Sequence, residues 1–367
     1  MLSGELRSAL LCAYPLHAVE QIEQVYNGNN RVYRLRCRAS SPYDDIAIKV
    51  SALSAERGPA AKRLEQTILD CLHDEHAIAF VPRLLPPTTG SSPAQERPSG
   101  LVWNDDTLLS CYRWVVTQPY RGTEQQLVQV GRRYAELQRA LSGIDPAALP
   151  SDIPLPPHRL VRAGGEGLHL AAVFSLDTFD AFIAARAGKC PACARLRGNR
   201  SFLENEIADL REVFDRHSQD LKSRDRRLIH QELSPGNFGF SSDHAVNMIF
   251  DFDSIAHGLP LQDTAWLCAT FCVDYRKSLD EVLQASLLLL SVIESQMTLA
   301  TSWRELLVPF MRLGYLGAIH RKLELAQDGV DGRLGFVRED ILCLRWLRRH
   351  GDALTAYFDR SATLSTC

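Results

Sequence analysis

No apolar run in this 367-residue chain is long enough to cross a bilayer. The most apolar stretch, Val282 to Ile293 (VLQASLLLLSVI), falls short of the roughly 20 residues a spanning helix takes, and Asp280, Glu281 and Glu294 bracket it. It reads as a buried helix, and no membrane partner is expected. Neither sign of charge dominates: 41 Lys and Arg face 44 Asp and Glu, for a net charge of −3. That excludes a broad polyanion-binding surface. The basic cluster Arg224, Arg226 and Arg227 is too short for a nucleic-acid stripe, so no nucleic-acid partner is expected either. The N-terminus has no basic start followed by an apolar run and a small-residue cleavage site, the signature of a secretory leader. The ten cysteines are scattered. Both features fit a cytoplasmic protein with reduced thiols. Cys190 and Cys193 have zinc-knuckle spacing. No second pair follows at the distance a four-ligand site needs, so they read as incidental thiols.

What is present is the composition of a folded globular protein, 46% hydrophobic and 23% charged, with length enough for two lobes. Residues 2–14 have an amphipathic helix pattern. Strand patterns cover 21–25, 31–38 and 46–50, the first two joined by the Asn/Gly turn at 27–30. A helix pattern at 56–73 carries Leu64, Ile68, Cys71 and Leu72 on one face. A strand pattern at 81–85 precedes the Pro/Gly/Ser-rich loop 86–100, and the hairpin pattern 101–116 follows. The first ~117 residues thus predict an antiparallel five-stranded sheet with one main helix. Beyond them helices predominate: 125–141, 175–187, 200–222, 261–274, 278–296, 301–325 and 337–358. A proline-rich connector at 145–158 and a strand–turn–strand unit at 228–253 interrupt them. The expected architecture is α+β, with residues 1–117 as a small lobe and 118–367 as a larger helical one.

The strand–turn–strand unit, LIHQELSPGNFGFSSDHAVNMIFDFD, carries the chemistry. His230, Glu232 and Asn237 form H-x-E-x-x-x-x-N. Strands at 238–240 and 246–250 then return the chain, so a hairpin brings Asn237 near Asp251. A carboxylate and an amide oxygen suit magnesium, which takes hard oxygen ligands and keeps several waters. Phosphoryl transfer asks a protein for positioning and charge neutralisation more than for covalent help.

HQELSPGN followed by IFDFD resembles the catalytic loop and metal segment of the aminoglycoside phosphotransferase and choline kinase superfamily, whose fold is bilobal and protein-kinase-like. IFDFD, Gly258-Leu259-Pro260 and Gln262-Asp263 resemble most the branch of type II homoserine kinases and stress-response kinases. The resemblance runs through nearly the whole chain in order. It implies an ATP- and Mg2+-dependent small-molecule kinase with a nucleotide-binding N-terminal lobe. The helical C-terminal lobe would hold the catalytic loop and the acceptor site. By resemblance, Lys49 holds the α- and β-phosphates and Glu65 orients it by an ion pair, with Glu56 as the alternative. Asn29 lies in the nucleotide-covering hairpin. Tyr112 and Trp114 belong to the hinge, Tyr112 to Pro119, against which adenine packs. Asn237 and Asp251 bind magnesium, and Asp263 bonds the catalytic-loop backbone. His230 is scaffold. Asp253 is a turn residue or a second metal contact.

The chain departs from the family at two places. Glu232 stands where the family has the aspartate that orients the acceptor hydroxyl and takes its proton. Gln138 stands where many relatives carry histidine. The expected acceptor is a hydroxyl on a small polar metabolite: an amino alcohol, amino acid, sugar or aminoglycoside-like antibiotic. The other reading Glu232 allows is a catalytically weak nucleotide-binding pseudokinase acting as regulator or scaffold. A zinc-binding module would rest on Cys190 and Cys193 alone. The expected assembly is a monomer or homodimer.

Overall fold

The computed structural model describes residues 8, 19–27, 31–37, 45–52, 59–85, 101–103, 107–146, 149, 173–186, 196–299, 303–327 and 334–364. Asn29, Glu56, the 86–100 loop, most of 145–158, Cys190 and Cys193 lie outside them, as does the 2–14 helix pattern apart from Ser8. Two compact units are present. One comprises Met1–Pro119, Ala140–Pro154 and Asn237–Ser254; the other comprises Tyr120–Arg139, Leu155–Gly236 and Ile255–Cys367.

The first unit is built on an antiparallel sheet. Its strands are β1 (Val19–Asn27), β2 (Arg31–Cys37), β3 (Asp45–Ala52), β4 (Leu84–Leu85), β5 (Leu101–Trp103) and β6 (Thr107–Arg113). Their order is β1-β2-β3-β6-β4, with β5 also paired to β6. Six strands are present where five are expected, and the 81–85 pattern contributes only the two-residue edge strand β4. Side chains alternate across a strand, and here the alternation fixes what each face carries. Ile46, Ile48 and Val50 of β3 join Tyr33, Leu35, Cys37, Leu109 and Cys111 in one buried apolar cluster. Lys49 therefore falls on the opposite face. Lys49 pairs with Ser110 and Ala47 with Tyr112 in the β3–β6 register, so Tyr112 shares the face of the lysine. Helix α1 (Pro59–Asp74) follows β3.

The hairpin β8 (Phe238–Phe240) and β9 (Val246–Ile249) completes this unit. It belongs here and not with the helices because its backbone is tied to early segments. Gln118 and Phe240 exchange N–H···O bonds of 2.6 and 3.0 Å, and Ile249 N–H donates to Phe80 O at 2.8 Å. Gly239 is required by close approach: a Cβ there would collide with the Thr117 side chain.

The second unit is mostly helical: α2 (Glu124–Gly143, of which residues up to Arg139 belong to this unit), α3 (Leu176–Ala185), α4 (Arg200–Arg216), α5 (Ser218–Ser223), α6 (Pro260–Cys272), α7 (Leu279–Glu294), α8 (Trp303–Gln327) and α9 (Leu334–Leu364). Helix α6 is buried nearly all round, including Gln262, Asp263 and Thr264, as a central helix must be. The run at 282–293 forms α7, which starts on a Ser278/Glu281 capping box. Its Val282, Leu283, Leu289, Leu290 and Ile293 are buried on one face. Strands β7 (Arg227–Ile229) and β10 (Ala256–Gly258) pair antiparallel on either side of the hairpin segment. Among the described residues no helix is long and apolar enough to cross a membrane.

Candidate functional site

In the first unit the hairpin geometry delivers two of the expected residues to one place. Phe250 N–H donates to Asn237 O at 2.8 Å, extending the β8–β9 ladder to its open end. Asn237 and Asp251 are therefore neighbours there. Asp251 has φ +69°, in the left-handed region, which aspartate tolerates better than most residues. It ends the strand and turns the chain into the helical turn Phe252–Ser254.

Lys49 reaches this turn. Its Nζ donates to Asp251 Oδ1 at 2.7 Å and to Asp253 Oδ2 at 2.5 Å. Burial works against the Lys49 ammonium, but Asp253 and Asp251 more than offset it and hold its pKa above the ordinary lysine value. The Asp253 side chain is mostly covered too, at 11% exposure. Burial alone would raise its carboxyl, yet Lys49 and Lys62 reverse the effect and hold it well below the usual range. Asp253 is thus part of an ion cluster, whereas the expectation is a turn residue or a second metal contact.

Glu65 does not make the ion pair with Lys49 that the family resemblance implies. Its partners are Lys62, in a close ion pair, Tyr112, whose hydroxyl donates to Glu65 Oε1 at 2.9 Å, and the Asp253 carboxyl, which lies within hydrogen-bond reach. Lys62, at 4% exposure, lies one turn before Glu65 on the same helix face and intercepts it. Burial lifts the Glu65 carboxyl above the ordinary range against the pull of Lys62. Lys62 is not among the residues the family resemblance points to, although Lys62, Glu65, Leu69 and Leu72 follow one buried 3–4 stripe.

Both hinge aromatics have charged neighbours. The β3–β6 register turns Tyr112 into the ion cluster, where its hydroxyl also takes a 2.9 Å bond from Lys62 Nζ. The Arg34 guanidinium covers the Trp114 ring at 4.8 Å, and Arg34 is itself paired with Asp45. Asn29 lies outside the described residues.

In the second unit, β7 leads into the catalytic-loop segment. His230 N–H donates to Asp263 Oδ2 at 2.6 Å and Gln231 N–H to Asp263 Oδ1 at 2.8 Å. Asp263 therefore anchors the loop backbone, as the resemblance implies. Burial pushes its carboxyl up to about 7, with the two amides pulling the other way. The anchoring holds Gln231 at φ +69°, a conformation an unconstrained glutamine avoids. His230 is fully buried, and its Nδ1 accepts from Glu232 N–H at 3.3 Å, so it is scaffold. Gln138 Nε2 donates to Leu228 O at 3.1 Å, bracing the strand that enters the loop. The Glu232 carboxylate forms an ion pair with Arg321 of α8. No sequence signal announced that arginine, 89 positions further on (321 − 232).

Replacing Asp263 with Asn sets an amide donor against one of the two loop N–H groups. A buried unpaired donor costs about 1–3 kcal/mol, so Asp263→Asn should lose stability on that scale in denaturant unfolding. No loss would mean that the loop does not hang on this carboxylate.

The fold has known counterparts. The structure of amicoumacin kinase hAmiN, in complex with AMP-PNP, Ca2+ and Ami, superposes with TM-score 0.62 at 14% identity, covering 95% of this chain and 92% of that one. A microcompartment-associated aminopropanol kinase gives 0.59 at 15% identity, with 96% and 99% covered. A choline kinase from Cryptosporidium parvum gives 0.53 at 12% identity, with 94% and 90% covered. At such identities these likenesses establish the protein-kinase-like fold. No curated protein matches the chain. The phosphotransferase enzyme family (APH) matches residues 29–295, a span that takes in Lys49, the catalytic-loop segment, the Asn237–Asp251 hairpin and the Asp263 anchor. With most of its length inside that match, the chain belongs to the phosphotransferase enzyme family.

Proposed function

We propose that this protein transfers the γ-phosphoryl group of ATP to a hydroxyl of a small polar metabolite. The observation that carries the reading is the Lys49–Asp251–Asp253 cluster beside Asn237. A cation for phosphates and hard oxygen donors for a metal stand at one hairpin end. The side chain of Asp251 keeps 30% exposure, against 11% for Asp253, so Asp251 is the carboxylate open to a ligand.

This donor set fits magnesium. Asn237 and Asp251 would hold it, and it would neutralise charge on the phosphates. Among the described residues no group of three or more His, Cys, Asp or Glu is placed to hold a metal. Lys49 would hold the α- and β-phosphates. Adenine would pack against the 114–119 segment, where Val116 is 69% exposed. Glu232 would orient the acceptor hydroxyl and take its proton. The acceptor falls among amino alcohols, amino acids, sugars and aminoglycoside-like antibiotics.

The Glu232–Arg321 pair favours a second reading, a protein that binds nucleotide but transfers phosphate weakly, because Arg321 occupies the carboxylate. The two readings separate on one measurement. Labelled ATP and the protein are incubated with a panel of hydroxyl metabolites, and products are read by mass spectrometry. The kinase reading expects a singly phosphorylated product that needs magnesium. Nucleotide binding with no phosphorylated product across the panel would support the second reading.

A further inference from the structure

Three carboxylates and two ammonium groups meet in the first unit: Asp251, Asp253 and Glu65 with Lys49 and Lys62. Their connections are specific. Asp253 divides its oxygens, Oδ2 to Lys49 at 2.5 Å and Oδ1 to Lys62 at 3.1 Å. Glu65 gives one oxygen to Lys62 and the other to the Tyr112 hydroxyl, which also accepts from Lys62. Lys62 therefore has three oxygen partners, enough for all three of its N–H donors.

Resting on the kinase reading, we infer that Lys62 is a positioning residue: it bridges Glu65 and Asp253 so that Asp253, and not Glu65, orients Lys49 for the nucleotide phosphates. Two buried carboxylates repel unless a cation lies between them. With Lys62 in place, Asp253 is fixed from one side by α1 and presents its other oxygen to Lys49. Glu65 acts on the phosphate lysine through Lys62 and Asp253. Without Lys62, Glu65 and Asp253 repel each other, and the 59–74 helix is pushed from the 252–254 turn. Breaking a buried pair by removing one partner is costly because the other charge stays buried.

The test compares wild type, Lys62→Met, Glu65→Gln and Lys62→Met/Glu65→Gln. It reads the unfolding midpoint of the nucleotide-free protein and the affinity for Mg-AMP-PNP by calorimetry. Lys62→Met should lower the midpoint and weaken binding on the order of tenfold, the range of couplings within one charge network. The double variant should recover most of both, because removing the Glu65 charge removes the repulsion that Lys62 relieves. A packing role alone predicts no such rescue. The inference is overturned if Lys62→Met binds like wild type, or if the double variant is no better than the single one, including when neither folds. Failure of the wild type to bind Mg-AMP-PNP overturns the kinase reading and this role with it. Normal binding by Lys62→Met overturns this role alone.

Discussion

Asp251→Asn should reduce phosphoryl transfer about 100- to 1,000-fold, the scale on which a preorganised transition-state charge contact acts, while the protein stays folded. The side chain of Asp251 is the most open carboxylate of the cluster, and its one bonded oxygen faces Lys49 at 2.7 Å. Loss of that bond leaves Lys49 still held by Asp253 at 2.5 Å. The fold should therefore tolerate the change, and the loss should appear in ligand binding. Asparagine is the right replacement because φ at this position is +69°. Asn accepts the left-handed region, whereas Ala pays about 1–2 kcal/mol there. Asp251→Ala should abolish turnover as well, with an unfolding midpoint below that of Asp251→Asn.

The measurement that isolates the metal role is nucleotide binding with and without magnesium. In the wild type magnesium should tighten AMP-PNP binding. In Asp251→Asn the magnesium effect should largely vanish, and metal-free binding should change little because Lys49 remains. Near-normal turnover in Asp251→Asn, or an undiminished magnesium effect, would show that the metal lies elsewhere.

Much of this site is legible in the sequence because it is local. The turn between β8 and β9 is short, so the pattern from His230 to Asp253 fixes which residues return to one another, and Asn237 meets Asp251 as the spacing requires. The face Lys49 takes follows from strand alternation: once Ile46, Ile48 and Val50 go to the core, the lysine must face the other way; its phosphate role rests on the family resemblance. Asp263 was legible through the family resemblance, and its two backbone bonds fit that role. The roles of Glu65, Tyr112 and Trp114 rest on the family resemblance, which does not show the neighbours that hold these side chains in this chain. Lys62 takes Glu65, the β3–β6 register takes Tyr112, and Arg34 takes Trp114. A helix pattern shows that Lys62 and Glu65 share a face but not what they meet across it. Arg321 lay beyond any local pattern, since it reaches Glu232 only through the packing of α8.

That arginine decides what should happen at Glu232. Glu232→Gln keeps the shape of the side chain and removes its charge, so it should cut turnover by about 100-fold or more, the usual worth of a positioned base. Glutamate carries one methylene more than the family's aspartate, a displacement of about 1.5 Å, the length of a carbon–carbon bond. A misplacement near 1 Å can cost on the order of 100-fold. A longer side chain works only if something fixes its end, and the Arg321 ion pair does so in this structure. Glu232→Asp should then be slower than wild type, although it restores the family residue, because the shortened carboxylate no longer reaches Arg321. Arg321→Met should fall to a similar level, and Glu232→Asp/Arg321→Met should be little worse than either single variant, since both break the same contact. The rates of these four variants on an identified acceptor test the pair. Turnover unchanged in Glu232→Gln would remove Glu232 from the mechanism. A gain in Arg321→Met would show that the arginine restrains the carboxylate instead of aiming it, and the weakly transferring protein would become the better reading.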